Sequence, residues 1–228
     1  MAAPLRVPHY STCCRRQATL EVGIPRPVSA GPRHVVVDST GLKVFGEGEW
    51  KVRQHGSSKR RTWRKLHVAV EEATQAIVAT LTTINAVGDG EVLPELLAQI
   101  PEPIEQVSAE GAYDTRACHE AIAQRRAQAA IPPRGNVHPW PPKADGSVHP
   151  RTGILQRIAQ VGLAQWKKES GYHRRSLAET AMFRLKTLFG DQRQARGVDA
   201  QVAEVYIRCA ALNTMTRLGM PDTYRVGA

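Results

Sequence analysis

Three acidic residues stand where their carboxylates could act together: Asp38, Glu110 and Glu179. Asp38 ends a β-branched run over residues 34–38, and Glu110 follows a second strand-like run over residues 104–109. In open α/β sheets, residues at the carboxyl ends of strands line the site crevice. We therefore expect Asp38 and Glu110 to lie side by side if their strands are neighbours in the sheet.

Carboxylates held this close repel one another unless a cation lies between them. Mg²⁺ prefers oxygen ligands, takes few of them from protein and keeps several waters. Two such ions about 3.5–4 Å apart can activate a water and stabilise a leaving oxygen in phosphodiester cleavage. Any one acid taken alone is more often a loop cap or half of a surface ion pair, so the case for a site depends on what surrounds the third acid.

The surroundings of Glu179 are the most informative part of the chain. At about 100° per residue, the side chains of Tyr172, Arg175, Glu179 and Lys186 fall within an arc of about 60° on one helix. A guanidinium and an ammonium beside a metal-binding carboxylate suit a site that grips phosphates. The alternative is a surface Arg–Glu pair of i,i+4 spacing, worth only about 0.3–0.5 kcal/mol.

A second basic feature covers residues 51–67, with seven Lys or Arg and no acid. Charge of this density suits a loop or hairpin that lies along a phosphate backbone, although a solvated surface is the alternative. The whole chain carries 31 Lys and Arg against 21 Asp and Glu, a formal net charge of +10 that favours a polyanionic partner. The DNA-contact candidates in this segment are Lys59, Arg60, Arg61, Trp63, Arg64 and Lys65.

The order of elements predicts an α/β chain with a mixed sheet and helices packed on it. Its 228 residues are enough for one domain with an appendage. The hydrophobic patterns predict strands over 34–38, 63–70, 76–83, 104–109 and 129–132, and helices over 89–100, 115–127, 154–163, 171–189 and 200–218.

Proline and glycine positions set the expected domain limits. Residues 1–33 are predicted to form an irregular arm, residues 34–222 the compact domain, and residues 131–150 a proline-rich loop inside it. No run approaches the roughly 18 apolar residues of a membrane span, so we expect no membrane partner.

The residues around Glu179 resemble those of a known family. The chain is similar to DDE transposases of the bacterial insertion-sequence five family, in the wider insertion-sequence four-like group. The group's signature Y-(x2)-R-(x3)-E-(x6)-K is matched by Tyr172, Arg175, Glu179 and Lys186 with every gap intact. Further blocks that resemble the family are VDSTGLKVFGEGEWKVRQHG around Asp38, RRTWRKLHVAV (60–70), AYDTRACHEAIAQR (112–125), AAIPPR (129–134), WKKESGYHRRSLAETAMFRLKTLFG (166–190) and AALNTMTRLGMPD (210–222).

The resemblance implies an RNase H-like fold and catalysis with two Mg²⁺ or Mn²⁺ ions. Asp38, Glu110 and Glu179 would be the catalytic metal ligands, while Tyr172, Arg175 and Lys186 would position the DNA end. Water would cleave a phosphodiester at the end of the insertion sequence, and the freed 3′-hydroxyl would attack target DNA. The expected partners are transposon ends and target DNA, with a homodimer left open, and the expected location is the bacterial cytoplasm at the nucleoid.

Two departures from the family pattern keep alternatives open. Where the family carries Asp, this chain carries Glu110, which places the carboxylate about 1.5 Å further along its arm. Asp114 follows four residues later, where a helix is expected to start. The region before the core is shorter than in the family, so residues 1–33 are expected to be the remnant of a truncated DNA-binding region. The alternatives are a catalytically impaired DNA-binding remnant and a repair nuclease of RNase H type.

Overall fold

The computed structural model describes residues 7–28, 31–44, 63–135, 138–142, 146–195 and 197–219. In this part of the chain, six strands form one mixed sheet in the order β3-β2-β1-β4-β5, with β6 paired to the end of β1. β2 is antiparallel to β1 and β3, whereas β4, β5 and β6 run parallel to their partners. The strands are β1 Arg33–Val44, β2 Trp63–Glu71, β3 Ile77–Ile84, β4 Ile104–Ala109, β5 Gln128–Ala130 and β6 Gln192–Arg193.

Helices cover both faces of this sheet. They are α1 Tyr10–Gln17, α2 Leu93–Ala98, α3 Arg116–Gln124, α4 Pro150–Val161, α5 Leu163–Glu169, α6 Ser176–Phe189 and α7 Val198–Leu218. Short 3₁₀ turns precede three of them, at Asp89–Glu91, Gly111–Tyr113 and Tyr172–Arg175. No helix within the described ranges combines the length and apolarity needed to cross a bilayer.

The alternation of side chains along β1 sends its residues to two separate cores. Val35 and Val37 belong to a buried cluster with α2 and α3. Val36 and Leu42 belong to a second buried cluster with α6 and α7. Because Asp38 and Thr40 lie between Val36 and Leu42 in the same alternation, they share the face that α6 covers. This alternation places the polar part of β1 beneath the helix that carries Glu179.

The predicted fold class, a mixed α/β sheet flanked by helices, is confirmed, and the strand order is that of an RNase H-like fold. The condition for Asp38 and Glu110 to lie side by side is met, since β4 pairs directly with β1. The first strand, predicted from the sequence to end at Asp38, continues to Val44 because β2 pairs with it as far as Lys43. Long-range pairing therefore overrides the local turn preference of Ser-Thr-Gly.

Several local elements differ from the sequence prediction. The segment predicted as an irregular arm contains α1, which packs on α7 and is tied to it by a hydrogen bond from Gln17 to the carbonyl of Ala200. The single helix expected over 171–189 is divided into a 3₁₀ turn and α6. Gly171 before the turn has φ 64°, a left-handed conformation that glycine adopts without strain. α5 and β6 were not predicted, because neither has a strong pattern of its own.

Asp114 anchors the proline-rich loop rather than facing Asp38. Its carboxylate accepts two hydrogen bonds from Arg151, at 2.7 and 2.8 Å, and a third from the backbone N–H of Arg134 at 2.9 Å. His119 Nε2 lies 3.1 Å from the same carboxylate. These donors hold the pKa of Asp114 well below its usual range, although burial acts in the opposite direction. Asp114 therefore has a structural role in holding the proline-rich loop, and it does not take the place of Glu110 beside Asp38.

Replacing Asp114 with Asn should destabilise the fold by about 3–5 kcal/mol, because the change leaves the buried Arg151 guanidinium without its carboxylate. Urea unfolding of the two proteins at pH 7 measures the difference. The matched control is Glu169→Gln, which removes an exposed ion pair with Arg157 and should leave the unfolding midpoint almost unchanged. Equal midpoints for Asp114→Asn and the wild type would contradict the anchoring role.

Candidate active site

β1 and β4 place Asp38 and Glu110 next to each other. The parallel pairing of these strands ends at Val37 opposite Ala109, and each acid is the next residue of its strand's chain. β1 is central to the sheet at this point, so Asp38 is partly buried. Glu110 emerges at the strand end with its side chain 46 % exposed. The sequence-based prediction that these acids share one edge agrees with this register.

The third acid reaches the same place because α6 packs across β1 and β2. The helix has a narrow apolar stripe that is buried against the sheet, made of Ala178, Ala181, Met182 and Leu185. Small residues at 178 and 181 allow a close approach of the helix. Glu179 lies at the edge of this stripe and its side chain is 51 % exposed. The packing of the stripe therefore fixes Glu179 beside the polar part of β1.

Arg175 joins two of the acids. Its Nη1 atom lies 2.7 Å from Glu110 Oε1 and 2.7 Å from Glu179 Oε1. Two carboxylates on separate elements thus meet at one guanidinium nitrogen. The i,i+4 ion pair between Arg175 and Glu179, which the sequence analysis gave as the alternative to a phosphate-binding site, is present. It is only part of a contact that also includes Glu110.

Asp38 completes the cluster. One carboxylate oxygen accepts a hydrogen bond of 2.7 Å from the backbone N–H of Ser39. Burial raises the pKa of Asp38 to about 6, and the negative charges of Glu110 and Glu179 add to the rise, while the Ser39 bond and the charge of Arg175 oppose it. Glu110 and Glu179 contact Arg175, and the charges of all three groups act on Asp38, so negative charge exceeds positive charge here, which favours binding of a cation.

The remaining signature residues lie around the acids. Tyr172 is 8 % exposed, with the Arg175 guanidinium 5.5 Å from its ring centre, and burial raises the pKa of its hydroxyl. Lys186 Nζ donates a hydrogen bond of 2.6 Å to Thr40 Oγ1 on β1. The structure thus brings Tyr172, Arg175 and Lys186 to one side of the acid cluster. Thr40 was missed by sequence reasoning, although its place two residues after Asp38 puts it on the same strand face.

A polar network behind the site was also missed. Gln106 on β4 donates 2.8 Å to the carbonyl of Ser170, which lies just before the 3₁₀ turn that carries Tyr172. Gln106 also contacts His34 on β1 at 3.0 Å, and His34 pairs with Glu72. These residues are distant in sequence, so no local motif identifies them. Their contacts attach the start of the signature segment to the sheet.

The DNA-contact candidates of the basic segment are only partly covered by the structure. Lys59, Arg60 and Arg61 fall outside the described residues. Trp63 packs across Gly41 on β1, where a Cβ atom would meet its ring at 3.2 Å.

The two remaining candidates point to opposite faces of β2. Arg64 pairs with Leu42 and shares the face of Asp38. Lys65 lies on the other face, where its ammonium donates to Val87 and Asp89. Arg64, but not Lys65, is therefore on the same side of the sheet as the acids.

The donor chemistry fits a hard divalent cation, because Asp38, Glu110 and Glu179 offer only carboxylate oxygens. As placed, two of these carboxylates contact Arg175, and no three His, Cys, Asp or Glu side chains in the described ranges are close enough together to hold an ion. Glu110 and Glu179 are about half exposed, so neighbouring atoms leave their side chains room to change rotamer. Asp38, Glu110 and Glu179 are thus the residues that would hold such an ion.

Comparisons with known proteins were made by family and by structure. The chain is similar to a cryo-EM structure of the piggyBac transposase synaptic complex with hairpin DNA, with 10 % sequence identity and a TM-score of 0.46. The match covers 82 % of this chain and 47 % of that chain, so this protein spans about half the length of that transposase. One family model, described as a transposase DDE domain, matches residues 1–47.

A second family model covers most of the chain, including the strands and the helix that bring Asp38, Glu110 and Glu179 together. It is also described as a transposase DDE domain and matches residues 29–214. DDE transposase domains depend on divalent metal ions, in agreement with the all-carboxylate donor set. The protein therefore belongs to the DDE transposase family.

Proposed function

We propose that this protein cleaves and joins DNA strands as the transposase of an insertion sequence of the insertion-sequence five kind, with two Mg²⁺ or Mn²⁺ ions held by Asp38, Glu110 and Glu179. The observation that carries the proposal is that Glu110 and Glu179 both contact Arg175 at the sheet edge where β1 places Asp38. The ions would supply an activated water and charge stabilisation at the leaving oxygen. The protein would act on DNA at the nucleoid in the bacterial cytoplasm, and a homodimer would bring two DNA ends together.

The other residues of the cluster would bind and orient the DNA. Arg175 neutralises Glu110 and Glu179 in the absence of substrate, and it would turn to a phosphate when cations take over that role. Lys186, anchored on Thr40, presents a second positive charge at the same edge. Arg64 lies on this face of the sheet and extends it towards the end of β1. These bases would grip the phosphates on either side of the scissile bond.

The proposal is tested by nicking of DNA that carries inverted repeats from the flanks of the gene, with Mg²⁺ or Mn²⁺ and with excess chelator. Replacing Glu110 with Asp should raise the cleavage rate about tenfold, because a carboxylate misplaced by about 1 Å can cost up to a hundredfold. The shorter side chain draws the carboxylate back towards the end of β4, the strand that pairs with Asp38's strand, and weakens its contact with Arg175. Initial rates of nicking at saturating Mn²⁺ measure the change.

The matched control is Glu105→Asp, the same substitution at an exposed position of β4 outside the cluster. Its cleavage rate should equal that of the wild type. If Glu110→Asp is no faster than Glu105→Asp, then Glu110 is not the second acid of the site. Nicking that survives excess chelator would remove the metal-dependent mechanism altogether.

A DNA-binding remnant without catalysis is the second candidate. It is favoured by the contact of Arg175 with both Glu110 and Glu179, which competes with a cation for the same oxygens. This candidate predicts salt-dependent DNA binding with no nicking, and no heat of Mn²⁺ binding in calorimetry. If Glu110→Asp restores both nicking and Mn²⁺ binding, the longer side chain of Glu110 is the cause of the impairment.

A further inference from the structure

Phe183 is an exposed aromatic ring beside the acid cluster. It lies on α6 and is 69 % exposed. Counted at about 100° per residue, its side chain points only about 40° away from Glu179 around the helix axis. The four-residue step from Glu179 to Phe183 advances by about 6 Å along that axis, so the ring stands one turn beyond the third acid.

The surroundings of Phe183 do not resemble a protein-docking face. Its helical neighbours three and four positions away are Glu179, Thr180, Lys186 and Thr187, all polar or charged. Protein interfaces bury a contiguous apolar core with few charges at its centre. One ring among hydroxyls and charges instead suits a ligand with a flat apolar face and a charged backbone.

We propose that Phe183 stacks on an unpaired nucleobase next to the phosphodiester that is cleaved at the acid cluster. A nucleotide has both a flat apolar face and a charged group, since its base can stack on the ring and its phosphate can pair with Arg175 and Lys186. Aromatic stacking on bases tolerates any sequence because every base has a π face. The base must be unpaired or at a strand end, because its faces are covered inside a duplex. The inference rests on the proposed function, since it assumes that the acids act on DNA.

The test compares two single strands of about 12 nucleotides, a length typical of single-strand sites. One is oligothymidylate and the other is an abasic strand with the same phosphates. The wild type should bind the thymidylate strand about tenfold more tightly in fluorescence anisotropy. Phe183→Ala should remove this preference, and Phe183→Trp should restore it. Affinity for the abasic strand should not change in either variant.

Leu188→Ala is the matched control, since Leu188 is 51 % exposed on the same helix and points about 180° away from Glu179. It should keep the tenfold preference. A preference that survives in Phe183→Ala overturns the inference, as does a wild type that binds both strands equally. A change of oligomeric state in Phe183→Ala without loss of base preference would also overturn it, because the ring would then contact a second copy. Failure of the proposed function looks different: neither strand would bind in a salt-dependent way.

Discussion

Replacing Asp38 with Asn should abolish DNA nicking and make the protein more stable. We expect cleavage to fall by more than about a hundredfold, because losing even an outer-shell partner of a metal ligand costs about 10–100-fold and Asp38 would be a ligand itself. The free energy of unfolding at pH 7 should rise by roughly 2 kcal/mol, because folding raises the pKa of Asp38 to about 6 from 3.8 and so disfavours its ionised form. Nicking assays and urea unfolding of one preparation measure both effects.

The pH dependence follows from the direction of the shift. Below about pH 4 the carboxyl is neutral in both the folded and unfolded states, so Asp38 costs no stability there. The cost grows as the pH rises from about 4 to 6 and is complete above 6. The stability advantage of Asp38→Asn should therefore be full at pH 7 and vanish at pH 4.

The control for Asp38→Asn is Asp191→Asn, which makes the same change in a surface pair with Lys43. It should leave nicking unchanged and slightly lower stability, because Lys43 holds the pKa of Asp191 below its usual value. An Asp38→Asn protein that is less stable than the wild type at pH 7 would contradict the crowding of charge at the cluster. Its loss of nicking would then reflect damage to the fold.

Arg193→Leu should stabilise the protein by roughly 3 kcal/mol. Arg193 on β6 is 0 % exposed, and none of its three guanidinium nitrogens has a hydrogen-bond partner in the described part of the chain. The pKa of Arg193 is lowered to about 10, mainly by burial and also by the positive charges of Arg64 and Arg208, against the attraction of Glu204. A buried charge without hydrogen bonds is costly, and an apolar side chain of similar volume removes that cost. The urea midpoint measures the gain.

Arg208→Leu is the control with the opposite sign. Arg208 is also buried, but its guanidinium donates to the carbonyls of Gly190 and Gln192 and pairs with Glu204. Its loss should cost about 3–5 kcal/mol, because Glu204 is left buried without its partner. If Arg193→Leu destabilises the protein as Arg208→Leu does, then Arg193 has a strong partner in the folded protein.

The β-branched run of β1 and the strand-like run of β4 were sufficient to predict two strands, with a carboxylate at the end of each run, from the chain alone. The spacing of the signature residues was correctly identified from the sequence, but the backbone geometry of the first part of the segment was not. Tyr172 and Arg175 lie in a 3₁₀ turn, where a period of three brings the guanidinium over the ring. The helical arc used for the sequence prediction assumed a period of 3.6 throughout.

The sequence by itself determined which chemical groups the protein has and how they are spaced along each element: the acids, the signature helix and the basic balance. The tertiary structure decided which of these groups meet. Packing pairs Glu110 with Arg175 and places Lys65 on the sheet face opposite Asp38. It also pairs Asp114 with Arg151 and buries Arg193. The physical reason is the distance along the chain over which each kind of interaction acts. Local patterns follow from backbone geometry within a few residues, whereas ion pairing and burial depend on packing between elements far apart in the chain.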